Sequence, residues 1–318
     1  MDGSLDFAIG LTQGVAWPWP IAVYLFLAGI SGGAMGVVLT MRKLTGEERV
    51  TPLLQAASVV ALVMILLGMI CLVADLTNPL FFWRILVYYN PTSVMSIGVM
   101  MLLVYIPVTA LFTVMTLRAY WHKIPVVGDL LIKVADLCTK VSGVLSWVGL
   151  FFAFGICAYT GFLISALIRF PLINTAVLPA LFVASGVSAG TAAVKLVAVA
   201  AFGESRESHS MHVLHKAEWP MMAAEIACLL MIFVSLLTGQ AGAQATSGAF
   251  TTGIWAMVFW VGAVGVGFGI PLISSTLIRR DSVSLFWLAS LAGIVGMMCL
   301  RLFILYAGQQ NSLMAITI

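Results

Sequence analysis

Eight long apolar stretches follow one another along the chain, separated by short polar segments: about 18–41, 53–77, 93–117, 143–167, 176–202, 219–239, 252–278 and 283–307. A helix needs roughly 20 residues to cross the hydrocarbon core of a bilayer, so each stretch is long enough to span it. The first, Pro18 to Met41, shows the pattern most fully. Trp17 and Trp19 stand at its entry, where amphipathic rings favour the water–lipid boundary. Gly29, Ser31, Gly32, Gly33 and Gly36 then give it a smooth face against which another helix backbone can approach. Arg42 and Lys43 end it with charges that enter lipid only at high cost. The pattern predicts an all-α polytopic membrane protein with eight transmembrane helices.

Three connecting segments have a character of their own. Residues 79–90, PLFFWRILVYYN, carry five aromatics and one arginine, as expected of a segment lying on the outer membrane surface. Residues 119–141 mix charges with Val, Leu and Ile and predict an amphipathic helix on the opposite face. The polar run 203–216, GESRESHSMHVLHK, reads as a mid-chain linker. It divides a single membrane domain into residues 1–202, with five helices, and 203–318, with three. An internal echo places a first four-helix half at about 1–170. Gly29-Ile-Ser-Gly-Gly is answered by Gly186-Val-Ser-Ala-Gly, and Tyr159-Thr-Gly by Tyr306-Ala-Gly, each about half a chain later. Both echoes join helices of one direction, which predicts two parallel four-helix halves.

Composition agrees with the periodicity. Hydrophobic residues make up 62% of the chain and charged ones 8%, against about 25% charged in a typical soluble domain. With a mean hydropathy of +1.12 there is no room for a sizeable soluble domain. The net charge of +3 is scattered over short loops and gives no nucleic-acid surface. Counted by side, the basic residues fall eleven in odd loops and two, Arg84 and Arg169, in even loops, which puts the odd loops in the cytoplasm and both termini outside. Asp2 and Asp6 without a basic stretch argue against a cleaved signal peptide. The five cysteines form no C-x-x-C pair, and His122, His209, His212 and His215 all lie in polar segments. The expectation is no metal site, no haem and no iron–sulfur cluster in this chain.

Charged and phenolic groups within the spans are then the site candidates. In the outer half these are Asp75, Arg301, Tyr24 and Tyr159, whose shared depth predicts one cavity open to the outer leaflet. Such a set suits a quinone, whose carbonyls need donors and whose tail needs lipid, and Asp75 can hold and release a proton. Alternatively, Asp75 is solvated at the boundary or caps a turn, Arg301 serves packing, and each tyrosine is a packing residue. In the inner half, Lys195, Lys216, Glu218 and Glu225 form a candidate proton line, since Glu218 and Glu225 are two helical turns apart. The other reading leaves His215, Lys216 and Glu218 at a wet helix start and pairs Glu225 with Lys195.

Four stretches together resemble the NrfD/PsrC family, the membrane subunits of nitrite, polysulfide and related respiratory reductases. They are WPIAVYLFLAGISGG from Trp19, YNPTSVMSIG from Tyr89, AYTGFLISA from Ala158 and LFILYAGQ from Leu302, and the likeness covers nearly the whole chain. The resemblance implies an eight-helix anchor in the bacterial cytoplasmic membrane that binds quinol, menaquinone being the expected carrier, without haem. It implies electron exchange with a ferredoxin-like four-cluster iron–sulfur subunit on the outer face, and through it with a catalytic reductase subunit. In the polysulfide reductase branch, a tyrosine on the fourth helix falls at Tyr159 and the acid ending the second at Asp75. A histidine of the first helix falls at Tyr24, an asparagine at Pro20, and a basic residue opening the sixth helix at Lys216. The expected function is quinol oxidation or quinone reduction in an anaerobic respiratory complex, with Tyr24, Asp75 and Tyr159 at the site and Thr92, Ser93 and Arg301 shaping it. A secondary transporter and a passive anchor are the alternatives; bound quinone and a co-purifying iron–sulfur protein separate them from the first reading.

Overall fold

A segment of backbone in lipid has no water to satisfy its peptide groups, so long apolar runs resolve as helices that bond internally. The structure, a computed structural model, describes residues 17–46, 49–76, 79–81, 83–87, 90–125, 127–168, 170–239, 241–276 and 283–310, and among them there is no strand. Among the described residues eight helices are long and apolar enough to cross a membrane: α1 (Trp19–Thr45), α2 (Pro52–Ala74), α3 (Val94–Thr116), α4 (Ser142–Ser165), α5 (Leu178–Ala201), α6 (His209–Thr238), α7 (Gly253–Ser274) and α8 (Val283–Ala307). The protein is an integral, multi-pass membrane protein. Of the residues used to assign sides, Arg169, Arg279 and Arg280 lie outside the described residues, as do residues 1–16 and Tyr89.

Local signals set the ends. Thr51 accepts the Leu54 N–H at 3.2 Å and Pro52 occupies the first turn of α2, an arrangement that satisfies one orphan donor and loses none. Gly46 closes α1 in the left-handed region at φ 66°. The sixth helix departs from expectation. It begins at His209, not near residue 219, because Ser208 caps it by accepting the Met211 N–H at 3.2 Å and Met211 and Leu214 bury their side chains. Half of the segment read as a linker is therefore helix, and three of the four histidines ride on its first two turns.

Helix α1 sits at the centre, packed on α2, α4, α5 and α8, and with α5 it is the most enclosed of the eight. The two echoed glycine motifs meet there. A Cβ on Gly33 would run into the Gly186 carbonyl, and one on Gly190 into Gly33 and the Ala34 nitrogen, so only glycine permits this approach. Gly29 faces Gly186 and Gly33 faces Gly190, a rising register that makes α1 and α5 parallel. Hydroxyl bonds tie α1, α2 and α3 together: Ser31 donates to the Ala61 carbonyl at 2.7 Å and accepts from the Tyr105 hydroxyl at 3.1 Å. Nearer the basic loops Ser58 meets Thr116 at 2.8 Å and Gln55 donates to the Thr116 carbonyl at 3.0 Å.

The second part of the bundle is looser. Helices α7 and α8 touch at Gly267 and Gly296, but α6 and α7 make little contact. Residues 258–269 of α7 and 303–307 of α8 take the wider π-helical turn, the first of them glycine-rich. On the surface, the helix Gly128–Lys140 buries Ala135 and Cys138 against the bundle and exposes Leu130 and Leu137. The segment 79–87 exposes Leu80, Phe81, Trp83 and Val87, with the Arg84 guanidinium 4.4 Å from the Phe81 ring centroid.

Candidate functional site

Between α1, α2, α3 and α4, away from the basic loops, the structure brings two of the expected residues together. The Tyr24 ring lies 3.3 Å from where a Cβ on Gly68 would stand, and the Tyr159 ring fills the space that a Cβ on Gly98 would need. Small residues on α2 and α3 thus make room for two phenols from α1 and α4. The two phenols lie near each other, and the buried Tyr24 hydroxyl has no hydrogen-bond partner. Asp75 follows Gly68 by seven residues, two turns and about 10 Å farther out on the same face of α2. It occupies the helix C-cap position, half-buried, with its own N–H bonded to the Cys71 carbonyl at 3.2 Å.

Three other residues expected at that site are placed differently. Arg301 is fully buried on the far side of α1, its Nη2 donating to the Phe182 carbonyl at 3.1 Å and its guanidinium stacked 3.4 Å over the Phe182 ring centroid. Five residues separate Tyr24 from Gly29, which faces Arg301, and at 100° per residue they point well apart. The expected single cavity is therefore two polar places, with the Arg301 guanidinium level with Gly29, about 7.5 Å farther along α1 than Tyr24. Thr92 is exposed and spends its N–H and hydroxyl on Asn90 Oδ1, at 3.1 and 2.8 Å, as a turn before α3. Ser93 is the half-buried N-cap residue of α3.

Toward the basic loops, α5, α6, α7 and α8 enclose a cavity of about 330 Å³. One wall is polar. Lys195 Nζ pairs with Glu218 Oε1, and the other Glu218 oxygen meets His215 Nδ1 at 3.0 Å. The opposite wall is apolar, with Pro271, Leu285, Phe286 and Ala289, and Arg206, Glu207 and His212 ring the mouth. A second, smaller space continues from Ser188, Gly267 and Gly293 toward Glu225 and Leu300, with room for roughly one water. From Leu285 to Leu300 the two spaces follow α8 for about 22 Å, most of a bilayer core.

This geometry fixes the partner of Lys195. Lys195 pairs with Glu218 and not with Glu225. Glu225 is buried beside Ser188, keeps Oε1 without a partner, and feels the charge of Arg301. Lys216 is exposed and lines neither space. The five cysteines are free, and no group of His, Cys, Asp or Glu able to hold a metal occurs among the described residues.

The family profile described as "Polysulphide reductase, NrfD" matches residues 8–312. The chain belongs to the NrfD family. It is 36% identical over 304 residues to the C subunit of polysulfide reductase from Wolinella succinogenes, covering 93% of this protein and 95% of that one. It is 37% identical over 309 residues to protein NrfD of Escherichia coli, covering 93% and 96%. A protein NrfD homolog of Haemophilus influenzae is 33% identical over 318 residues, covering 96% and 98%.

Several residues that build the two places carry no charge and give little sign of themselves in the sequence. Gly68 and Gly98 admit the phenols. Ser188, Ser290 and Gly293 line the inner cavity, and the Ser290 hydroxyl is buried with no partner. The signal for the last group is small residues at Ser290, Gly293 and Gly296, one turn apart along a single face of α8. Tyr306, the echo of Tyr159, stacks on Trp255 with ring centroids 4.8 Å apart.

Proposed function

We propose that this chain is the quinol-oxidising, or quinone-reducing, membrane subunit of an anaerobic respiratory reductase complex. The observation that carries the reading is the buried Tyr24 hydroxyl, which lacks a partner where it lies beside Tyr159 and beneath Asp75. A buried donor left unpaired costs about 1–3 kcal/mol, and a quinone oxygen is an acceptor of the right kind to relieve it. The relatives' names, a polysulfide reductase subunit and NrfD, support membership of a reductase complex.

Quinol, with menaquinone as the expected carrier, supplies two electrons and two protons when it is oxidised. The protein's own residues hold and orient it. Tyr24 and Tyr159 donate to its oxygens, Gly68 and Gly98 leave the phenols their space, and Asp75 takes a proton toward the outer surface. Electrons pass to a ferredoxin-like iron–sulfur subunit on the outer face and on to a catalytic subunit. In this reading the basic loops are cytoplasmic, and both termini are periplasmic in a bacterial inner membrane. Lys195, Glu218 and Glu225, with Lys216 at the exposed start of α6, form the line along which the reaction is coupled to proton translocation.

The test is quinol oxidation by the assembled complex carrying Tyr159→Phe or Asp75→Ala, with subunit levels followed by immunoblot. Loss of one hydrogen bond to the bound head is expected to lower turnover about tenfold at unchanged assembly. Wild-type turnover in both variants removes the site assignment.

A further inference from the structure

We propose that the cavity between α5, α6, α7 and α8 is a second binding site, for a neutral amphiphile whose head accepts hydrogen bonds, the class to which lipid-soluble quinones belong. The site is distinct from the one between α1 and α4 and goes beyond the function proposed above. Its size, about 330 Å³, lies within the range of small-molecule pockets, and its make-up is the usual one of apolar walls with a few convergent polar groups.

The charge of the lining points to a neutral ligand. Two cationic residues, Lys195 and Arg206, stand against two acidic ones, Glu207 and Glu218, and the innermost pair already neutralise each other. At the inner end an anion or a cation would have to break that pair. What the wall leaves over at its inner end is donors. Lys195 has three N–H groups and Glu218 is one partner, while the Ser290 hydroxyl, 3% exposed, has none. The ligand's head is therefore an acceptor, seated toward Ser290 and Lys195. Water alone fits poorly against Pro271, Leu285, Phe286 and Ala289, which offer it no side-chain partner.

The same residues show how the ligand enters and how it can be excluded. Trp219 lines the cavity yet is 44% exposed, so its indole stands between the cavity and the lipid-facing side of α6, the position that amphipathic rings favour. A Cβ on Gly293 meets no atom within 4 Å, so a larger side chain there grows into the cavity and not into the packing.

The experiment is photolabelling of the full-length protein in lipid nanodiscs with a short-tailed azido-1,4-naphthoquinone, the labelled peptides being mapped by mass spectrometry. Saturable label is expected on residues 211–222 and 285–293, displaced by unlabelled 2,3-dimethyl-1,4-naphthoquinone and retained in Tyr159→Phe. Gly293→Leu is expected to reduce it tenfold or more. Ser290→Ala, which removes the unpartnered hydroxyl, weakens half-saturation about fivefold while leaving thermal stability unchanged or higher. Absence of label on these segments overturns the proposal. So does label that survives Gly293→Leu together with Ser290→Ala, and so does label that the unlabelled quinone fails to displace, which marks adsorption to the lipid-facing helix surface. Label on α1 and α4 reads the other site separately, so failure of one assignment leaves the other measurable.

Discussion

The bundle handles polar side chains in two ways, and the contrast between its first four helices and its last four is instructive. Among α1–α4 the hydroxyls satisfy one another across helix boundaries, through Ser31–Tyr105, Ser58–Thr116 and Thr113 to the Ser58 carbonyl. The phenols of Tyr24 and Tyr159 are packed against glycines with little room around them. Among α5–α8, Ser290 Oγ and Glu225 Oε1 have no partner and their residues line open volume, and two nitrogens of the closely packed Arg301 are also unpaired. Polar groups in lipid must be paired or wetted. The first region pairs most of them and leaves the Tyr24 hydroxyl open in a tightly packed place, while the second leaves several beside open volume for water or a ligand, so the first is built for tight orientation and the second for access.

The largest effect expected from breaking this contrast is at the ion pair that closes the open region. Lys195 and Glu218 side chains are 9% and 18% exposed, so Glu218→Gln leaves an ammonium buried without its counter-charge. A loss of about 3–5 kcal/mol is expected, read as a lowered unfolding temperature in detergent. Replacing both residues with methionine is expected to restore most of it, because two apolar side chains leave no unpaired charge. If the double replacement is as unstable as the single one, the wall is held by something other than this pair.

A smaller effect, of opposite character in the two regions, follows from adding one methyl group to each. Gly98→Ala forces a Cβ into the Tyr159 ring, with an expected cost of about 1–3 kcal/mol for overpacking and a fall in quinol oxidation as the phenol shifts. Gly293→Ala adds the same atom where nothing lies within 4 Å, and alanine is the better helix former, so stability is expected to hold or rise slightly. Equal costs at the two positions would mean that the two regions are packed alike.

The same contrast explains what is legible in the sequence. Depth is readable: an apolar run has a beginning and an end, so the eight spans follow from counting, and so does the place of Asp75, Tyr24 and Tyr159 toward the span ends away from the basic loops. Azimuth is not. Tyr24 points from α1 toward Gly68 of α2, whereas Arg301 approaches α1 at Gly29 on another side, a distinction that depends on which helix lies where. The partner of Lys195 is obscured for a related reason. Glu225 reads as the buried acid available to it, but the helix starts ten residues earlier than its polarity suggests, and that carries Glu218 down to the lysine. The cavity itself is invisible because glycine and serine, the residues that shape it, read as helix-packing residues in any membrane span.

The smallest expected effect comes from an ion pair that belongs to neither region and so calibrates both. Arg118 and Asp136 join the end of α3 to the surface helix at 2.6 Å, with both side chains about half exposed at 49%. The guanidinium's hydrogen bond holds the Asp136 carboxyl below its ordinary value of 3.8. A carboxyl depressed in the folded state contributes its stability above the unfolded value, and that contribution is lost as pH falls through the lower folded one. Thermal scans are therefore expected to show wild type and Asp136→Asn converging as pH drops below about 3.8. At neutral pH they differ by a margin close to experimental error and smaller still in high salt, since solvent screens the pair. A loss at neutral pH as large as that of Glu218→Gln would show that exposure does not govern these pairs, and the contrast between satisfied and open regions would lose its physical basis.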